Sequence, residues 1–539
     1  MKKITICLLI VLSASQFSCK KFLDITPIDK LTGNNFYRSA DDIESNITDM
    51  YGRLFDKYTK TSFAGATGEF RSGEAIPAVQ GGELRRGISR LGGHTRQTPD
   101  PRGVTDKQVI PETSIDDRLL LEAVQSGRSW SSYNFGDLTV WNEYYQVIQA
   151  ANLLISKVEE GIPALTAEQS KRYVAEGKFI RSFCYFQMVR LYGDVVYYTT
   201  AYQKDPLPRE NMVTVVNKCI ADLKTAKPDI VWTMNDPSLR GVRASRGAIV
   251  GLLMNLNMWN AGFDPANKNK YYEETAALGD ELIKSNAFRL LPITEWATVA
   301  KGRSEESLFE LFRTLNYNDA DNPFAQANPF SPFADVFIHF PYKQPEYTHR
   351  YSNAVFTELY MKKLYPDEGD GRLNYWFVSP FDQNAETFQL KKFAYNTFVD
   401  ASNPGLDINP DNSYLIMRYA DAILLRAEAL AELGTQDEEA TKMLNMVRDR
   451  GRATLFPNAV GDTDLKDAIF WERAKELMGE GTHYFDLVRT KRVLNKLYTD
   501  NPLTYDKFNR GGWTWPIDPS ALNNNPYMSL NEYWIGTGL

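Results

Sequence analysis

Histidine and cysteine are scarce in this chain, with four of each among 539 residues. His94, His339, His349 and His483 contain no His-x-x-x-His pair. Cys7, Cys19, Cys184 and Cys219 make no zinc spacing. A histidine–zinc hydrolase is therefore not expected, no cofactor is called for, and no residue is assigned to a metal. A Gly-x-Ser-x-Gly elbow is also missing, which removes the common serine-hydrolase arrangement. Basic excess is absent: 61 Lys and Arg face 68 Asp and Glu, for a net charge of -7. Nucleic acid is an improper partner for such a chain, because phosphate contacts need a basic face. Past the first dozen residues no run of 18 apolar residues occurs, so no later segment is long enough to span a bilayer as a helix.

What is present begins with a leader. Met1-Lys2-Lys3 is basic, Ile4 to Leu12 is apolar, and the small residues Ser13, Ala14 and Ser15 follow. That pattern is an export signal. Phe17-Ser18-Cys19 then resembles a bacterial lipoprotein cleavage site, with Gln16 where leucine is usual. Residues 1–18 are expected to be removed and Cys19 acylated, so that buried methylenes tether the mature chain to a membrane. Ordinary secretion with an incidental cysteine is the other reading.

Apolar periodicity predicts helices over most of the chain. In the first half they cover Asp41–Leu54, Leu138–Val158, Ser170–Tyr192, Asn211–Lys224, Arg243–Asn260 and Tyr271–Ser285. Later ones cover Ser413–Leu433, Asp437–Arg450, Leu465–Met478 and Tyr484–Leu497. Helix pairs joined by short turns suggest a tetratricopeptide-like solenoid, although no strict 34-residue repeat is visible. Two stretches break the rhythm. Gly65 to about Arg128 is rich in Gly, Pro and Arg, and about 301–412 crowds proline, asparagine and aromatics together. Cys184 and Cys219 fall in helical patterns and read as small buried residues, with a disulfide as the other possibility.

Several ordered motifs resemble the SusD/RagB family. Lys21-Phe22-Leu23-Asp24 follows the leader, and Trp141-Asn142-Glu143-Tyr144-Tyr145 opens an early helix. Glu176, Arg181 and Tyr185 lead into Leu191-Tyr192-Gly193-Asp194-Val195. Arg418-Tyr419-Ala420-Asp421, Arg426-Ala427-Glu428-Ala429, and Asn445 with Val447, Arg448 and Arg450 form the most recognisable stretch. Glu472-Arg473, Glu476-Leu477, Glu480-Gly481 and Phe485-Asp486-Leu487-Val488-Arg489 come next, and Trp515-Pro516-Ile517-Asp518-Pro519 fits the tail. His483 departs from the pattern, where arginine is more frequent.

The resemblance implies a mainly α protein: a tetratricopeptide-like helical scaffold (about 36–300 and 413–500) with a loop-rich ligand-binding insertion (about 301–412), all in one domain over 19–539. It also implies a lipid-anchored outer-membrane protein at the cell surface. Its partner would be a SusC-like TonB-dependent transporter, and its task the binding of nutrient oligosaccharides without catalysis. A peptide-binding relative on the same scaffold, and a structural transporter lid with no ligand of its own, are the alternatives.

Loop aromatics are the candidate contacts. A flat ring offers apolar area to the C–H face of a sugar, while amides bond its hydroxyl rim. Trp130, Tyr133 and Asn134 precede a helix; Phe330, Phe333 and Tyr342 lie in the middle insertion. Trp376 completes the set, within a Tyr375-Trp376-Phe377 run that also reads as a strand packed on the core. Arg85, Arg86, Arg90, Arg96 and Arg102 face only Glu83 and Asp100 over 81–103, which suits an acidic glycan, a transporter contact or a solvated loop. Glu472, Glu476 and Glu480 share one helix face. They read as a solvated, salt-bridged face, with paired acid/base carboxylates of a glycoside hydrolase as the alternative. Asp367 to Arg372 passes for a cation loop but lacks the later bidentate glutamate, and reads as a turn. Arg418, Asp421, Arg426 and Glu428 are expected to brace helices.

Overall fold

The computed structural model describes residues 37–59, 65–77, 138–312, 354–382, 388–393, 397–398, 408–409, 413–523 and 525–535. Among the described residues, ten helices carry the scaffold: α1 (Ala40–Thr59), α2 (Asn142–Glu160), α3 (Ala167–Tyr192), α4 (Met212–Ala226), α5 (Arg246–Phe263), α6 (Lys268–Lys284), α7 (Tyr419–Leu433), α8 (Asp437–Arg450), α9 (Leu465–Glu476) and α10 (His483–Arg489).

Their ends follow from local chemistry. The Asp42 carboxylate accepts from the Arg38 and Ser39 amides at 2.9 and 2.8 Å, so α1 starts on an acid. Thr166 and Gln169 form a reciprocal capping box at the start of α3. The Asn211 and Ser245 side chains accept from the first-turn amides of α4 and α5. Gly434 ends α7 in the left-handed region, at φ 68°, where a side chain would be strained.

Helices adjacent in sequence pack as pairs: α2 with α3, α5 with α6, and α7 with α8. Helix α4 lies against α3 and α5, and α6 lies against α7, which joins the two halves of the chain into one array. The seam between α6 and α7 is close. A Cβ on Gly279 would stand 2.8 Å from the Arg426 Cβ. This is a tetratricopeptide-like helical scaffold. Its buried apolar residues form one hydrophobic cluster running from Ile43 to Trp534.

Two expectations change. Ser413–Leu433 is helical only from Tyr419; Tyr414–Arg418 is a strand. It pairs antiparallel with Ser307–Leu311, and that pairing, a hundred residues distant in sequence, overrides a pattern that fits a helix locally. The helix expected over Tyr484–Leu497 stops at Arg489, because Lys491 takes φ 63° and a single 3-10 turn follows. Cys184 and Cys219 are both free and buried. Burial pushes both thiols up, that of Cys219 to about 12.

We number the strands used below β1 (Ala75–Pro77), β2 (Ser307–Leu311), β3 (Ala354–Phe356) and β4 (Tyr414–Arg418).

Candidate functional site

Six of the seven aromatic and amide candidates, Trp130, Tyr133, Asn134, Phe330, Phe333 and Tyr342, lie outside the described residues, as do Cys19 and the arginines of 81–103. The structure does define the roots from which those segments spring. β1 and β3 pair antiparallel, with Ala75 opposite Phe356 and Pro77 opposite Ala354. The chain that leaves after Pro77 carries Trp130, Tyr133 and Asn134. The chain that returns at Ala354 carries Phe330, Phe333 and Tyr342. These two roots are therefore hydrogen-bonded neighbours.

The opposite roots also converge, on the last turn of α1. The Lys57 ammonium donates to the Val140 carbonyl at 2.9 Å, just past the end of the first segment. The ring of Tyr58 stands edge-on to Tyr414, at 6.4 Å between centroids. Tyr414 in turn pairs with Leu311, where the second segment begins. One helix end and one strand pair thus gather all four roots.

Trp376 is a correction. It is 0% exposed, ends a short helix over Gly371–Trp376, and packs against Trp296 at 4.7 Å between centroids. The Lys392 ammonium lies 4.5 Å from its ring. A side chain sealed between an indole and a cation has no face left for a ligand, so the core-packed reading of this run is the right one, as a helix end.

The carboxylates of α9 and the turn after it are a second correction. Glu472 and Glu476 are fully buried and Glu480 nearly so, where a solvated face was expected. Glu472 accepts from Arg372 at 2.6 Å and Arg448 at 3.1 Å. Glu476 accepts from Arg418 at 3.1 Å and Arg372 at 3.3 Å, and pairs also with Arg450. Glu480 takes two bonds from Arg418, at 2.8 and 2.7 Å, and one from Lys392 at 2.6 Å. Glu306 closes the lattice with Arg418 and Arg450, each at 2.9 Å.

Burial opposes ionisation of Glu476, but Arg450, Arg418 and Arg372 outweigh it and bring the carboxyl down to about 2. Such a group stays an anion and cannot give up a proton near neutrality. The set is a brace tying β2, β4, α8, α9 and the 370–392 segment together. Lys392 and Glu306 were not singled out in the sequence, and Arg372 was read only as the end of a turn; its place beside Asp370 was the available signal.

The expected bracing roles of the other charges hold. Asp421 accepts from Arg473 at 2.8 Å, Arg426 reaches Asp280 at 2.8 Å, and Glu428 pairs with Arg489. Asp370 caps the 371–376 helix and pairs with Arg372 at 2.8 Å, so the Asp367–Arg372 stretch acts as a turn and cap. His483 opens α10 inside the core, 3.9 Å from the Glu74 carboxylate. Among the described residues no cluster of three His, Cys, Asp or Glu side chains has metal-holding geometry.

A helical-repeat scaffold with two long insertions rooted side by side defines the class of protein. The sequence model of the SusD family matches residues 298–534, and that described as "Starch-binding associating with outer membrane" matches 103–254. A solved SusD homolog from Bacteroides thetaiotaomicron is 31% identical, superposes with a TM-score of 0.77, and is matched over 92% of this chain and 98% of its own. SusD-like protein P38 of Formosa agariphila is 26% identical over 98% of this chain and 99% of its own length. The starch-binding protein SusD of Bacteroides thetaiotaomicron is 33% identical over a shorter stretch, 23% of this chain and 22% of that one. The chain belongs to the SusD family.

Proposed function

We propose that this protein captures nutrient oligosaccharides at the cell surface and passes them, chemically unchanged, to a SusC-like TonB-dependent transporter. The observation that carries the reading is the shared root. The insertion that carries Trp130, Tyr133 and Asn134 and the one that carries Phe330, Phe333 and Tyr342 each have one end at the strand pair of Ala75–Pro77 with Ala354–Phe356. Rings from both segments would then make a shallow aromatic platform with a polar rim. The starch-binding names of a matched family and of one relative favour a glycan as its occupant. A non-catalytic role is supported by the fate of Glu472, Glu476 and Glu480, whose oxygens are committed to arginine and lysine inside the core.

The rest of the reading is architectural. Residues 1–18 are removed as a lipoprotein signal, a lipid on Cys19 holds the chain to the outer membrane, and 19–539 form one SusD-like domain. No helix among the described residues is long and apolar enough to cross a membrane.

Affinity electrophoresis of the lipid-free mature protein tests this, against neutral and acidic polysaccharides and a peptide pool. Retardation by one glycan class, abolished in Trp130→Ala, is the expected result. Retardation that survives the substitution would remove Trp130 from the site. Binding to peptides alone would sink the glycan reading, and silence towards every ligand would leave a structural lid.

A further inference from the structure

Most cations packed into this scaffold meet a carboxylate: Arg372, Arg418, Arg448, Arg450, Arg473 and Arg489 each have at least one. Lys491, just past the end of α10, does not. Its ammonium lies 3.7 Å from the ring centroid of Phe263 and 4.4 Å from that of Phe508, two nearly parallel rings. Partial burial brings this ammonium down to about 8, with no acid acting to hold it up.

Lys491 borders an open surface groove of about 760 Å³. Among the described residues its walls come from the one stretch 490–505, with the cations Lys491, Arg492 and Lys496, the rings of Tyr498 and Tyr505, and the Asn495 amide. No aspartate or glutamate of that stretch lines it, in a chain whose net charge is -7. The acids close by in the fold are engaged elsewhere. Asp467 accepts from Arg492 at 2.7 Å and from the Tyr498 hydroxyl at 2.8 Å. Asp506 lies 3.6 Å from Arg510, and Asp500 faces Lys363 and Glu74. Lys496 is exposed and makes no ion pair among the described residues. The two tyrosines are presented differently. Tyr498 is stacked on Trp471 at 5.8 Å between centroids and tethered through its hydroxyl, whereas Tyr505 is 74% exposed. An open ring beside unpaired ammonium groups suits a guest with an apolar C–H face and an acidic substituent.

We infer that the groove over 490–505 is a second saccharide site, selective for an acidic sugar residue, with Tyr505 against the ring face and Lys491 and Lys496 on its carboxylate or sulfate. Arg492, fixed by Asp467, forms part of the wall between the two lysines. The site belongs to the scaffold, and only the class of its guest rests on the glycan reading proposed above.

Affinity electrophoresis of the lipid-free mature protein tests the site, in gels containing polygalacturonate, dextran sulfate or neutral dextran. Retardation by an acidic polymer, beyond any in dextran and fading with added salt, is expected. Polygalacturonate reports a carboxylate guest and dextran sulfate a sulfated one. Lys491→Gln combined with Lys496→Gln should weaken the interaction about tenfold, since two charge-assisted contacts are lost. Lys204→Gln combined with Lys270→Gln removes the same charge from exposed positions elsewhere and should leave it unchanged. Trp130→Ala should also bind the acidic polymer as the wild type does, whatever becomes of neutral glycans, which separates this site from the insertions. No retardation of the wild type by either acidic polymer would overturn the inference. Equal loss in both lysine pairs, or loss in Trp130→Ala, would do the same. Sedimentation with phosphatidylglycerol vesicles in place of binding to either polymer would give the groove to a lipid and sink the saccharide. Should the 491/496 variant fail to fold, Tyr505→Ala at the exposed ring decides: weaker binding is expected, and unchanged binding would refute the site.

Discussion

Glu476→Gln isolates the charge at the centre of the buried brace while keeping the side chain's shape. In the native protein this carboxyl titrates near 2, against 4.5 for the free group. The difference corresponds to about 3 kcal/mol of stability at neutral pH, since one pKa unit is worth roughly 1.4 kcal/mol. Leaving Arg418, Arg450 and Arg372 one anion short points to the same range, as removal of one partner from a buried pair typically costs about 3–5 kcal/mol. The sign with pH follows from the depressed value. The contribution is complete above the unfolded pKa of 4.5 and is lost as pH falls from there towards 2. Urea unfolding followed by circular dichroism should show a wild-type advantage of about 3 kcal/mol at pH 7 that shrinks steadily below pH 4.5. A gap under about 1 kcal/mol at pH 7, or one that does not change with pH, would refute the assignment of Glu476 as a charged keystone. Arg289→Met is the control. Its partner Glu305 is 42% exposed, so the loss should stay below about 1 kcal/mol.

Glu310 should behave in the opposite sense. Burial raises its carboxyl to about 7, against hydrogen bonds from Ser307 and the Arg303 amide that lower it. The fold thus favours the protonated form, and stability falls as pH rises from 4.5 through 7; Glu310→Gln should be more stable than wild type at pH 8 by about 3 kcal/mol, with the gap closing towards pH 5. Gly279→Ala should cost about 1–3 kcal/mol in a urea titration, because the added methyl meets an Arg426 side chain held by Asp280 and Glu439. Cys184 and Cys219 should resist a thiol reagent in the native protein and react fully in denaturant, whereas fast labelling of folded protein would contradict their burial.

Helical stretches were legible because their main signal is local, a run of apolar residues at 3.6-residue spacing with a glycine such as Gly434 past the end; the Thr166–Gln169 cap was missed, and that helix was placed from Ser170 where it starts at Ala167. The strand Tyr414–Arg418 was not legible, because its partner strand lies at Ser307–Leu311 and neither stretch announces the pairing alone. Spacing placed Glu472 and Glu476 correctly on one helix face, but Glu480 lies in the turn past the end of α9, and spacing did not give the direction of that face. An exposed ion-pair ladder and a buried one share the same i, i+4 pattern, and only the arginines converging from Arg372, Arg418 and Arg450 separate them. Trp376 misled for a related reason: aromatic character suits a sugar platform and a protein interior equally well. The likeness of this chain to its family was readable from ordered motifs, several of whose residues, such as Arg418, Arg448, Glu472 and Glu476, prove to belong to the brace.

The strand pair of Ala75–Pro77 with Ala354–Phe356 has an evolutionary corollary. Chain inserted between ends that the scaffold holds fixed is thermodynamically cheap to extend, at about 0.6 kcal/mol for each doubling of its length. Segments hung from such ends accept insertions, deletions and wholesale replacement while the helices behind them keep their packing. A lineage could therefore rewrite these segments, residue by residue or in whole cassettes, and inherit the chassis unaltered.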